Sequence, residues 1–420
     1  ELRLEDGAVL TVVPTDETQV TGDPLLDGCR ATVTYEEAGR VGDTVTAQAV
    51  ALAAAPPTPS PAVGSSAPEK LLSSMTLEEK VGQLLTVGFY GTQAGEETRS
   101  YIQDYHVGGL ILFGRNVESA QQLVDLTNGL KALAGDGIPL FLSIDQEGGT
   151  VERMPPEIRR LPNAYEVADP AALGATLGAE CAAFGLNTDF APSLDIWSNP
   201  NNTVIGKRAF GSDAASVTER GLACLTAIEE SGTIPVVKHF PGHGDTDTDS
   251  HVGLPVVNKT RGELLESELL PFQSAIDGGV PAVMVAHILM TQLDPDRPAS
   301  LSPEVVTGLL REELGFAGVV FTDDLTMGAI TQNYGLGEAA VLAVEAGCDV
   351  LLVCHEASAV EEAYTALLEA VDTGRLSQER LDESVRRILT LKQTYGLTGD
   401  PVDLPDLEAL NTQVDTVVNG

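Results

Sequence analysis

Residues 238–251 read Lys-His-Phe-Pro-Gly-His-Gly-Asp-Thr-Asp-Thr-Asp-Ser-His and hold three of the chain's six histidines, one lysine and three aspartates. Pro241, Gly242 and Gly244 forbid a regular helix through the middle. The run before it, Ile234-Pro235-Val236-Val237, is short, apolar and β-branched, as expected of a buried strand. Ionisable groups therefore emerge from a strand's C-terminal end onto an irregular loop, where α/β proteins place their chemistry. In Asp249-Ser250-His251 an aspartate two residues before a histidine can reach its ring, fix its tautomer and stabilise its protonated form. Such a histidine can protonate a leaving oxygen and then activate water. Asp323, at another strand end, is the candidate nucleophile, with Asp324 beside it as a structural residue. Carboxylates plus histidine suit glycoside hydrolysis. Asp145, Arg153, Arg208, Lys238 and His239 are then candidate binders of sugar hydroxyls, because charged groups make strong hydrogen bonds in a partly dry site.

Competing chemistries fit less well. His239 and His243 are four apart, a zinc-pair spacing on a helix, but this stretch is not helical. Asp245, Asp247 and Asp249 resemble the start of a calcium loop, yet Ser250 stands where glycine is needed and Val256 where glutamate is needed. The chain has no G-x-x-x-x-G-K-[ST] phosphate loop. The alternative kept is a metal-dependent hydrolase using His239, His243 and Asp245, with a non-catalytic glycan-binding barrel behind it. The leading expectation is an enzyme without metal or cofactor.

The elements that must position these residues alternate strand and helix. Candidate strands are Leu84–Phe89, Gly109–Phe113, Pro139–Ile144, Leu186–Phe190, Pro235–His239, Ala282–Ala286, Val319–Thr322 and Asp349–Val353. Amphipathic stretches such as Ala214–Glu230, Arg261–Ile276 and Gln378–Thr394 lie between and after them. Eight parallel-type strands with helical crossovers predict a (β/α)8 TIM-type barrel, with the doubly wound sheet as competitor. Polar groups gather at the predicted C-terminal strand ends: Asp145-Gln146-Glu147, Asp189 and Asp195, Lys238-His239, His287, Asp323-Asp324 and His355. The N-terminal ends show nothing comparable. Residues 1–53 alternate in short runs and read as a small N-terminal β domain without catalytic residues. Residues 54–67 read as a Pro/Ser-rich linker, 68–396 as the catalytic barrel and 397–420 as a C-terminal tail.

Composition bounds the setting. The net charge is −38, with 62 acidic against 24 basic residues, so phosphate backbones and anionic lipid are repelled and no nucleic-acid partner is expected. No apolar run reaches the roughly 20 residues of a membrane helix, so no membrane-spanning segment is expected. The five cysteines form no C-x-x-C pair, and a disulfide framework is not expected. Glu1 is not an initiator methionine, as expected of a processed or trimmed chain without a signal peptide. Nothing in the sequence specifies an oligomeric state.

The motifs Asp145-Gln146-Glu147-Gly148-Gly149, Ile205-Gly206-Lys207-Arg208-Ala209-Phe210-Gly211, Lys238-His239-Phe240-Pro241-Gly242-His243-Gly244, Asp249-Ser250-His251 and Phe321-Thr322-Asp323-Asp324-Leu325 resemble those of glycoside hydrolase family 3, in its bacterial β-N-acetylhexosaminidase branch. The resemblance covers about residues 70–396. It implies a retaining mechanism with Asp323 as nucleophile, His251 as acid/base and Asp249 as its partner. It also implies that Asp145, Arg153, Arg208, Lys238 and His239 bind N-acetylglucosamine. The implied substrates are N-acetylglucosaminides, notably cell-wall fragments. Thr150 stands where arginine is common in the family and Lys207 where an acidic residue is common. The attached β domain and linker point to an extracellular or cell-surface protein, with a cytoplasmic enzyme as the alternative.

Overall fold

The computed structural model describes the strands at 2–3, 9–21, 30–41 and 44–53, and residues 67–246, 250 and 253–420. The chain divides into two compact units, Glu1–Gly64 and Ser65–Gly420. In the first, the strands form one sheet in the order Leu2–Arg3, Val9–Thr21, Thr44–Ala53, Arg30–Val41. Val9–Thr21 and Thr44–Ala53 run parallel, and the outer pairs are antiparallel.

The second unit is a closed barrel of eight parallel strands. They are β1 (Leu85–Gly88), β2 (Gly109–Leu112), β3 (Phe141–Ile144), β4 (Thr188–Asp189), β5 (Ile234–Phe240), β6 (Ala282–Val285), β7 (Val319–Asp324) and β8 (Val350–Val353). These runs are almost wholly buried, as parallel strands covered on both faces must be. β3 and β7 stand opposite each other, yet Phe141 meets Phe321 at 6.0 Å between ring centroids, and Phe190 meets Phe321 at 5.6 Å. Both contacts are edge-to-face, so three phenylalanines fill the interior in the geometry aromatic rings prefer.

Each strand is followed by a helix: α1 (Glu96–Gln103), α2 (Ala120–Ala134), α3 (Pro170–Ala183), α4 (Ala214–Glu230), α5 (Leu269–Asp277), α6 (Glu304–Glu313), α7 (Leu336–Ala346) and α8 (Ala357–Asp372). Two more follow, α9 (Gln378–Thr394) and α10 (Leu407–Asn419). Local chemistry sets the starts: Ser119, Asp169, Asp213, Ser377 and Asp406 each accept a backbone N–H of the first turn. Two readings need correction. The stretch Arg261–Ile276 is broken into Arg261–Glu266 and α5. Where a tail was expected, Leu410, Val414 and Val417 form the buried stripe of α10, packed on α3.

The N-terminal end of the barrel is polar too, contrary to the sequence reading. Asp349, wholly buried, accepts hydrogen bonds from Arg311 at 2.6 Å, Ser384 at 2.7 Å and the Val320 amide at 3.0 Å, with Arg387 at 3.2 Å. Burial alone would raise its carboxyl pKa, but the three arginines Arg311, Arg387 and Arg380 hold it below the usual range. This network ties α6 and α9 to the start of β8.

Candidate active site

The C-terminal ends of the strands surround a cavity of about 380 Å³. Its wall includes Asp145 and Arg153 from the loop after β3, Arg208 from the loop after β4, Lys238 and His239 on β5, and Asp323 at the end of β7. The loop after β3 turns back on itself because Gly148 and Gly149 adopt φ of +83° and +58°, a region that side chains disfavour. A Cβ on Gly149 would also sit 2.1 Å from Asn163 Oδ1. The turn brings Arg153 round to the cavity, where its amide donates to Gln146 Oε1 at 2.8 Å. In the loop after β5, a Cβ on Gly244 would lie 1.7 Å from the Ile196 carbonyl oxygen. Only glycine allows these two loops to pack that closely.

The cations are fixed by one buried anion. Glu147 receives two hydrogen bonds from Arg208, Nη2 to Oε1 at 2.8 Å and Nε to Oε2 at 2.9 Å. Lys238 Nζ lies 2.7 Å from the same Oε1 and also donates to Asp145 Oδ1. Burial alone would raise the Glu147 pKa, but Arg208 and Lys238 outweigh it and hold the carboxyl well below the ordinary range. Lys238 is 1 % exposed; burial disfavours its charge, but Asp145 and Glu147 keep its pKa raised. A buried bidentate pair of this kind holds its geometry firmly.

His239 is oriented by a second buried anion. Its Nδ1 lies 2.6 Å from Asp195 Oδ2, and its Nε2 lies 3.3 Å from Arg208 Nη2. Arginine offers only N–H, so Nε2 accepts and the ring hydrogen sits on Nδ1. Asp195 also accepts the His243 amide at 2.6 Å and the Ser193 hydroxyl at 2.8 Å. Burial would raise Asp195, but His239 and, after it, His243 lower it to about 2. His243 is engaged by Thr246 at Nδ1 (2.7 Å) and by Ser250 at Nε2 (3.3 Å). Burial and the neighbouring His239 lower its pKa. Asp245 pairs with Lys259 at 3.0 Å. The three residues of the metal alternative therefore have separate protein partners, and among the described residues no three side chains converge as metal ligands.

Asp323 is half-buried on the cavity wall, and the amide of Asp324 donates to its Oδ1 at 2.8 Å. Asp324 braces the turn. Its Oδ1 accepts the amides of Thr326 (2.9 Å) and Cys354 (3.0 Å), and its Oδ2 accepts the Thr326 hydroxyl at 2.6 Å. His287 joins this support rather than the chemistry: Nδ1 meets Ser300 at 2.7 Å and Nε2 the Asp324 carbonyl at 2.9 Å. Asp249 and His251 lie outside the described residues. Ser250, between them, lines the cavity, and its carbonyl accepts the Ala329 amide at 3.1 Å.

Residues 76–391 match the glycosyl hydrolase family 3 N terminal domain. The chain belongs to glycosyl hydrolase family 3. Curated relatives that it matches include β-hexosaminidases. It is 37% identical over 332 residues to β-hexosaminidase A of Pseudoalteromonas piscicida, a match covering 70% of this chain and 55% of that protein. With the β-hexosaminidase of Nitrosomonas eutropha it shares 35% identity over 325 residues, covering 74% of this chain and 92% of that one. Among solved structures, a family 3 β-N-acetylglucosaminidase from Paenibacillus sp. is 44% identical with a TM-score of 0.78, covering 82% of this chain and 68% of the other.

Within this family 3 barrel, Asp145, Arg153, Arg208, Lys238, His239 and Asp323 all line one cavity. The two departures from the family pattern do not reach it. Lys207 pairs at the surface with Glu166, and Thr150 is exposed with its amide donating to Asn163 at 3.1 Å. Sequence reasoning missed the roles of Glu147 and Asp195. Glu147 stood only among the polar groups at a strand end, and its place as the shared anion of Arg208 and Lys238 was not foreseen. The signal for it was its place two residues after Asp145 at a strand end.

Proposed function

We propose that this chain is a retaining glycoside hydrolase that releases terminal β-linked N-acetylglucosamine, from cell-wall fragments or related glycans. Asp323 attacks the anomeric carbon and forms a glycosyl ester. His251, oriented by Asp249, protonates the leaving oxygen and then deprotonates the water that hydrolyses the ester. Asp145, Arg153, Arg208, Lys238 and His239 hold the sugar's hydroxyls. The observation that carries the reading is the half-buried Asp323 facing a fixed array of charged hydrogen-bonding groups across one cavity. The position of Ser250 on that cavity supports a role for the residues on either side of it. The mechanism needs no metal or cofactor. An extracellular or surface-held setting is part of the proposal, supported by the acidic composition and the Pro/Ser-rich stretch. The test is kcat/KM on a panel of aryl β-glycosides with and without EDTA. The N-acetylglucosaminide should exceed the glucoside by at least about 100-fold, since the site must lose a hydrogen-bonded acetamido group, and EDTA should change nothing. Comparable rates on both sugars, or loss of activity with EDTA, would overturn it.

A further inference from the structure

The side of the cavity away from the charged array ends in an aromatic ledge. Phe113, after β2, and His355, after β8, line the cavity, with their ring centroids 5.7 Å apart. The Arg115 guanidinium lies 4.3 Å from the centroid of Phe113 and 4.7 Å from that of Tyr90. Four side chains thus stack in the order His355, Phe113, Arg115, Tyr90. The stack is rigid: Arg115 donates to the Phe89 carbonyl at 3.1 Å and to the Cys354 carbonyl at 2.8 Å, joining the ends of β1 and β8. Asn116 adds bonds to Phe89 and Gly91 that fix the chain around Tyr90. Tyr90 is nevertheless 57 % exposed, the most exposed tyrosine of the described residues. Arg115 stacks on this ring, and the protein leaves much of it to solvent. An aromatic ring held rigidly beside a cavity, with one face left open, is the kind of surface that ligand sites are lined with.

We infer that this ledge is the subsite for the sugar on the leaving side of the scissile bond. The inference rests on the glycosidase reading above. A cavity of about 380 Å³ is too small to enclose a glycan chain, so the remainder of one must leave through the mouth. Charged binders occupy the β3–β5 side, whereas the ledge continues unbroken from the cavity wall to solvent on the β8–β1–β2 side. A sugar ring presents a C–H face that packs on an aromatic ring, and its hydroxyls remain in water. Tyr90 supplies that ring, and His355 supplies a polar edge nearer the bond that breaks.

The test compares an N-acetyl-β-glucosaminyl fluoride, which has no leaving-side sugar, with N,N′,N″-triacetylchitotriose. Aryl substrates are avoided because their rings could stack on the ledge themselves. Tyr90→Ala should lower the trisaccharide-to-fluoride ratio of kcat/KM by about tenfold, the scale of one aromatic stacking contact. Tyr90→Phe should keep the wild-type ratio, since the ring and not the hydroxyl is used. His355→Ala should shift the ratio in the same direction. An unchanged ratio in Tyr90→Ala, or a shift produced instead by Tyr165→Ala in the loop between β3 and α3, would overturn the ledge. A wild-type protein that turns over neither substrate would overturn the glycosidase reading itself, and the ledge with it.

Discussion

Glu147 shows how one side chain can set a whole site without touching the reacting atoms. It holds Arg208 and Lys238 at once, and both line the cavity. Glu147→Gln keeps the shape but turns an N–H₂ group toward a guanidinium and an ammonium. Both cations should shift, and kcat/KM should fall about 100-fold, as displacements near 1 Å do. Binding of N-acetylglucosamine, measured by titration, should weaken in parallel. An unchanged kcat/KM, or a loss accounted for by the unfolded fraction in a thermal melt, would contradict this role. The cavity-lining residues were legible because they follow apolar strand runs: Asp145, Lys238, His239 and Asp323 each close one. Glu147 and Asp195 were less legible because their partners come from distant parts of the chain. The pairs Glu147–Arg208 and Asp195–His239 are 61 and 44 residues apart, and no local spacing reports such contacts.

The helices beneath the barrel carry a different kind of chemistry. Lys392 on α9 is buried at the N-terminal end, where its ammonium donates to Gln83 Oε1 at 2.9 Å and the Gly108 carbonyl at 2.8 Å. It also lies 4.6 Å from the centroid of Phe141, the first residue of β3. Burial lowers its pKa to about 7. An unfolded lysine titrates near 10.4. Between these values the unfolded chain binds more protons than the folded one, so this group makes stability rise with pH across that window. Lys392→Met should remove the contribution. From about pH 7 to 10 the wild type should gain up to about 4 kcal/mol relative to the variant in denaturant unfolding. Parallel pH profiles would show that the ammonium is fully compensated by its partners. The same elements show why most of the fold was readable. Strands buried on both faces appear as short apolar runs, and α4 and α9 show the 3.6-residue stripe over their whole length. α10 was readable too, from Leu407, Leu410, Val414 and Val417 with Asp406 as cap, but Pro401 and Pro405 before it suggested an irregular tail. β4 is only two residues long where five were expected; beyond Asp189 the pairing continues only as the Phe190 amide on Ile144 and an isolated bridge between Ser193 and Lys238.

Across the whole molecule the two ends of the barrel divide the work. The C-terminal end gathers Asp145, Arg153, Arg208, Lys238, His239 and Asp323 around a cavity, and the N-terminal end buries Asp349 among arginines that hold helices to strands. Chemistry and stability therefore sit at opposite ends of the same eight strands, the usual arrangement in such barrels. The proposed mechanism requires a covalent bond between sugar and protein at one atom of one residue. A slow 5-fluoro-N-acetylglucosaminyl fluoride, incubated with the enzyme and followed by peptide mass spectrometry, reads that bond directly. The mechanism predicts one added glycosyl group, on the peptide containing Asp323, and its absence from Asp323→Ala. A label on Asp324 or elsewhere, or no adduct together with inversion at the anomeric carbon, would contradict it.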